Sequence, residues 1–216
     1  MDAAILACET IRDELESAIK IVGSGYPIKW VESGLHNYPG RLRKALQGQL
    51  DSLDGHDCVL MAFGSCGNAA VGLRTGGFRL IMPRVDDCIT LLIGSAQKRA
   101  EIGKGAGIYY LTPGWLRGER SVWAEYCHAV DKYGEQTAGE IMDAMLKHFT
   151  YLGVLDTKCY NLDEALPEFS RIAGKLKLTQ RIIPASVEYL CDLLTGPWED
   201  KRFLVVEPYT AIPDFP

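Results

Sequence analysis

The sequence predicts an α/β protein: a mostly parallel sheet with helices on both faces, Rossmann-like or flavodoxin-like, or two βα lobes of that kind. Three observations carry the prediction. Apolar runs of strand length alternate with segments of helical periodicity along the whole chain. The runs at 3–8, 58–63 and 78–82 are each bounded by turn residues, as buried strands are. Each of the three runs straight into a polar segment that carries a cysteine: Cys8, Cys66 and Cys88. Open parallel sheets place their ligands at the carboxyl ends of the strands. The right-handed crossover rule puts every such end on one edge, so the three thiols are expected to share it.

Taken in order, residues 3–8 form a first strand. A helix then carries Ile11, Leu15, Ala18 and Ile19 on one face, and Gly23-Ser24-Gly25 stops it. Residues 26–31 are a second strand, followed by a loop through His36. Leu42, Leu46, Leu50 and Leu53 recur at helical spacing, and Asp54-Gly55 ends that helix. Strands at 58–63 and 78–82 follow, with a short helix expected between them over 68–73. Asp86 or Asp87 N-caps a helix that runs through Ile93. The glycine-rich stretch 103–107 lacks both GxGxxG and the P-loop Lys-Ser/Thr, and reads as a mobile connector. Residues 108–111 are a strand, then come helices at 118–132 and 137–149, and a strand at 153–155. Leu162, Leu166, Phe169 and Ile172 mark a helix, 181–183 a short strand, 187–194 a helix and 203–206 a last strand. The expected organisation is one α/β domain over 1–207 with a proline-rich tail, 208–216, on the surface.

The bulk properties narrow the partners. A formal net charge of −5, with no basic run longer than the Arg41-Leu42-Arg43-Lys44 cluster, argues against nucleic acid. No apolar segment approaches the ~20 residues of a membrane span. The Met-Asp-Ala-Ala start lacks the basic and apolar regions of a secretory signal, so a cytoplasmic protein is expected. The seven cysteines include no CxxC pair, so any cysteine site must be assembled by the fold.

Three thiolates with a fourth position open describe catalytic zinc, and equally an iron–sulfur cluster with one iron left free. The ordinary alternative is three small buried residues at strand ends, since free cysteine is among the most buried types. Cys58, Cys127 and Cys191 read as structural, and Cys159 lies in a polar loop. Around the thiols, His36 is a candidate ligand, acid or base. Arg84 is a candidate clamp for an anionic group and Asp87 an acid, base or ligand, although a helix cap and its ion pair explain both. Trp115, with Tyr109 and Tyr110, offers an aromatic wall, and Trp115 and Asn68 are the candidate cofactor contacts. Cys66, between glycines and ahead of the expected helix, is a candidate nucleophile.

Several stretches resemble the prokaryotic family called domain of unknown function 1638. They are Cys8-Glu9 with Glu14-Leu15, Leu35-His36-Asn37-Tyr38-Pro39 with Leu42 and Leu46, and Gly64-Ser65-Cys66-Gly67-Asn68. The likeness continues through Pro83-Arg84-Val85-Asp86-Asp87-Cys88, Leu92 with Gly94-Ser95, and Gly107 to Trp115. It covers most of residues 1–200. Members are often encoded beside corrinoid-dependent methyltransferase systems in anaerobes. The resemblance therefore implies a role in one-carbon or methylamine-type metabolism, with a corrinoid protein or methyltransferase as partner and a corrinoid reaching the site through that partner. The expected activity is that of a metal- or cluster-binding protein acting on a small substrate. The alternative is a non-catalytic accessory for a metallocofactor.

Overall fold

The computed structural model describes residues 2–118 and 121–215. Among them the chain forms two sheets. The first begins with β1 (Ala3–Cys8), which is followed by a 3-10 turn (Glu9–Ile11) and α1 (Arg12–Val22). β2 (Ile28–Val31), a 3-10 turn (Leu35–Asn37) and α2 (Pro39–Asp51) lead to β3 (Cys58–Ala62) and β4 (Arg79–Pro83). These strands run parallel in the order β2-β1-β3-β4. That order reverses between β1 and β3, the crevice where open α/β sheets bind ligands. Every residue of β1 and β3 is buried, so helices cover both faces of the sheet.

From β4 the chain passes α3 (Cys88–Ile93) and α4 (Ala96–Ile102) into a second sheet. Its strands are β5 (Ile108–Leu111), β6 (Tyr151–Asp156) and β7 (Thr179–Pro184), parallel and in sequence order. A short helix, α5 (Pro113–Leu116), and a long one, α6 (Val122–Leu146), join β5 to β6. α7 (Leu162–Lys175) joins β6 to β7. The chain then returns through α8 (Glu188–Thr195) and β8 (Phe203–Val206), which completes the first sheet beside β4.

The cores follow this division. Met142, Leu152, Val154, Phe169 and Ile172 pack together around the second sheet. Ile108, Leu155 and Ile183 of that sheet instead join the core of the first, so the two sheets are packed against one another.

The strands divide between two sheets, which is the two-lobe form of the predicted class. Three sequence expectations are corrected. β8 is antiparallel, pairing Phe203 with Pro83 and Val206 with Leu80. The short return from α8 delivers the chain at the carboxyl edge, so the last strand can only run backwards from there. The expected helix at 68–73 is a series of turns, because Cys66, Gly67, Asn68 and Gly72 all have positive φ and a right-handed helix cannot pass through them. The two helices expected at 118–132 and 137–149 form one element broken at Gly134, whose φ of 80° and ψ of 163° interrupt the helical path. Glu119 and Arg120, at the start of the first, lie outside the described residues. Past β8, the tail packs on the β3–β4 connection: Thr75 and Thr210 exchange hydrogen bonds, and Ile212 and Phe215 are buried. No helix among the described residues is long and apolar enough to cross a membrane.

Candidate functional site

Two close backbone approaches build the site. The β3 loop lies so tightly on the β4 loop that a Cβ on Gly64 would stand 2.5 Å from the Asp87 nitrogen. The contact is stitched by backbone hydrogen bonds, Ser65 N–H to the Val85 carbonyl (2.9 Å) and Cys66 N–H to the Asp86 carbonyl (2.8 Å). At the other approach, a Cβ on Gly114 would meet the Thr10 carbonyl at 2.3 Å, so the loop after β5 presses on the loop after β1. Only glycine fits at either place. The first approach brings Cys66 to Cys88; the second brings Trp115 to Cys8.

The three thiols line one cavity, and the Cys88 side chain interacts with those of both Cys8 and Cys66. Cys8 also contacts the Thr10 hydroxyl at 2.9 Å. The hydrogen bonds from Cys88 and then Thr10 bring the Cys8 thiol down to about 7, against the opposing effect of burial. Cys88 is pushed well above the ordinary thiol range by its hydrogen bonds to Cys66 and Cys8, reinforced by burial. The hydrogen-bonded pair therefore holds its proton on Cys88 and leaves Cys8 as the readier thiolate. All seven cysteines are free of disulfides. Among the described residues no group of three or more His, Cys, Asp or Glu side chains is arranged to hold a metal ion.

The thiols line a cavity of about 340 Å³, at the small end of the range for small-molecule sites. Its opposite wall comes from the second sheet: Ile108, Tyr109, Tyr110, Trp115 and Phe149. Tyr109 and Phe149 meet edge to face at 5.4 Å between centroids. Thr112, fully buried, caps α5 and accepts a long hydrogen bond from the Trp115 N–H, which fixes the start of that turn.

The other expected residues divide. His36 and Asp87 line the cavity with Trp115. His36 stands at the exposed rim; the protein packed around it disfavours the charged imidazolium and lowers its pKa, while the Asp87 charge pulls the other way. Asp87 caps α3 by accepting from Thr90 N–H at 2.9 Å and holds Arg99 through both carboxylate oxygens, at 2.7 and 2.8 Å. Arg84 lies outside the cavity, with its backbone N–H and its Nε donating to the Arg202 and Phe203 carbonyls beside β8. Asn68 is exposed and also outside; its carbonyl accepts from Arg43 at 2.7 Å. Glu9 pairs with Arg12 at 3.1 Å and faces a separate groove.

Sequence reasoning missed Arg99, Glu32 and Thr10, all on the cavity wall. Arg99 sits on α4, which buries no side chain and so has no apolar stripe to announce it. Its N-cap was readable: Ser95 Oγ accepts from Lys98 N–H at 3.1 Å. Glu14, on α1, was also missed as a buried charge. It is fully buried, with one carboxylate oxygen accepting from Thr157 at 3.1 Å and the other without a partner. Burial pushes its carboxyl up to about 7.

Neither the curated proteins nor the solved structures contain a match to this chain. The family described as "Protein of unknown function (DUF1638)" matches residues 30–194, which include Cys66, Cys88 and the aromatic wall of the cavity but not Cys8. The chain belongs to that family of unknown function, DUF1638.

Proposed function

We propose that the cavity is a soft-metal site, in which Cys8, Cys66 and Cys88 hold zinc or an iron–sulfur cluster and a small substrate is bound beside it. The observation that carries the reading is that Cys8, Cys66 and Cys88, from three strand ends, line the wall of one open cavity. Around a tetrahedral zinc the sulfurs stand ~3.8 Å apart, for Zn–S bonds of ~2.3 Å. The donor set fits, because thiolates select zinc, copper(I) and iron–sulfur clusters over hard cations. Loading such a site displaces the thiol protons and turns the sulfurs toward one centre, so metal affinity should rise with pH.

When bound, the metal would supply a Lewis-acid or ligand-exchange position for a substrate sulfur or methylated group. The protein's own part is clearer. The glycine approaches hold the thiols and the aromatic wall at fixed separation, the rings exclude water, and His36 at the rim exchanges protons with solvent. We place this chemistry in corrinoid-linked one-carbon or methyl-transfer metabolism, on the strength of the family's usual setting. Anaerobically purified protein should contain about one zinc or one cluster per chain, the latter brown, and turnover of a methyl donor would separate an enzyme from an accessory.

One observation favours a second reading, a cysteine nucleophile. The lowered pKa belongs to Cys8, so Cys8 rather than Cys66 takes that role. Metal-free protein with a single fast-alkylating Cys8 and full activity would support it.

A further inference from the structure

Arg99 is the only lysine or arginine among the described residues that line the cavity. Its guanidinium is fixed from one side. Nη1 donates to both oxygens of Asp87 and to the Thr90 hydroxyl at 2.8 Å, and the plane lies over Tyr110 at 5.3 Å from the ring centroid. Asp87 and Thr90 are themselves locked together at the start of α3, by a 3.0 Å bond between hydroxyl and carboxylate. Nη2 and Nε make no hydrogen bond to any described residue. An arginine carries five N–H donors in a rigid fork, so this one keeps an unspent edge after its structural bonds are made.

We infer that Arg99 is the recognition residue for a small monocarboxylate, whose apolar body lies along Ile108, Tyr110 and Trp115 with its far end toward the thiols. This rests on the cavity being the functional site proposed above, and adds the class of substrate. The free edge presents two parallel N–H groups, which match the two oxygens of one carboxylate. A single cation already paired with Asp87, in a cavity that Glu32 also lines, opposes a dianion such as phosphate, because nearby like charges disfavour the second negative charge. The apolar remainder of the lining fits a hydrocarbon or aromatic body.

The test uses the full-length, anaerobically prepared chain with butyrate, butyramide and inorganic phosphate as probes at pH 7, followed by titration calorimetry, with metal content measured on the same samples. Butyrate should bind saturably, and butyramide about tenfold or more weaker, since the amide lacks the charge. Phosphate should not compete. Arg99→Gln should lose butyrate by about tenfold or more, Arg99→Lys should lose most of it because a point charge cannot supply the fork, and Arg84→Gln should bind as the parent does. If Arg99→Gln fails to fold, the acid-against-amide comparison on the parent protein still decides. Equal binding of acid and amide, preference for phosphate, no binding of butyrate, or undiminished binding in folded Arg99→Gln would each overturn the inference. Metal retained without butyrate binding sinks this inference alone; butyrate binding without metal sinks the metal reading alone.

Discussion

The two sheets bring opposite chemistry to one cavity. The first contributes sulfur at the carboxyl ends of β1, β3 and β4, where short loops expose Cys8, Cys66 and Cys88. The second contributes rings and no thiol, through β5 and the turn after it. Strand ends of the first sheet thus supply a reactive half, and the length of β5 with its flanking residues a recognition half. One glycine contact, at Gly64, holds the β3 and β4 loops together, and another, at Gly114, holds the second half against the first. The difference teaches that reaction and recognition should be separable by mutation.

The largest effect expected of a single change tests that separation. Cys88→Ser should abolish metal binding, because the Cys88 side chain interacts with both other thiols. Trp115→Leu should leave metal content whole and weaken only ligand binding. Elemental analysis of both variants checks this, and loss of metal in Trp115→Leu would break the division between the halves.

Next in size is the contact between the halves. Gly114→Ala places a methyl against the Thr10 carbonyl, where a Cβ would sit at 2.3 Å. It should cost about 1–3 kcal/mol or more, the scale of overpacking, and separate Trp115 from Cys8. Chemical denaturation measures the loss; a variant as stable as the parent would mean that the loops can part freely. Gly64→Ala should behave alike between the β3 and β4 loops.

Glu14 lies between α1 of the first lobe and Thr157, just past β6 of the second. Asp13, paired with Arg117, and Cys159 and Tyr160 are its other titratable or charged neighbours. Its folded-state pKa, about 7, is raised above the ordinary 4.5, so the folded protein keeps the proton in a window where the unfolded chain has released it. The contribution is therefore fully present below pH 4.5 and lost as pH rises through about 7. Its size is on the order of 2–4 kcal/mol. Glu14→Gln should gain stability relative to the parent across that window, seen as a flatter denaturation midpoint against pH. Parallel curves would show that the carboxyl finds a charge partner.

The smallest effects should come from the thiols away from the cavity. Cys127→Ala and Cys191→Ala, on α6 and α8, should keep the metal and cost only modest packing energy. Metal loss in either would mean that the site uses other sulfurs.

How much of this was legible in the sequence depends on whether the signal was local. The strands ending at Cys8, Ala62 and Pro83 were, because buried runs and turn residues mark them directly, and their shared edge follows from parallel pairing. Which strands make up the second sheet was not. The run Ile108–Leu111 looks like any other buried strand, and no linker announces that it pairs with β6 instead of β4. Arg84 and Arg99 show the same limit at the site. Arg84 sits beside Cys88 in sequence yet bonds to the chain at β8, whereas Arg99 reaches the cavity from a helix with no buried face. Asp87 could be read as a cap, but which arginine it would hold is a property of the fold.

The central claim is that the three strand-end thiols are ligands, and metal stoichiometry tests it most directly. Protein purified without oxygen or chelator should carry about one zinc, or one cluster absorbing in the visible, per chain. Each of Cys8→Ser, Cys66→Ser and Cys88→Ser should remove it to a similar extent. Fully reduced protein that binds neither zinc nor iron when reconstituted, with three thiols free to alkylation, would contradict the account.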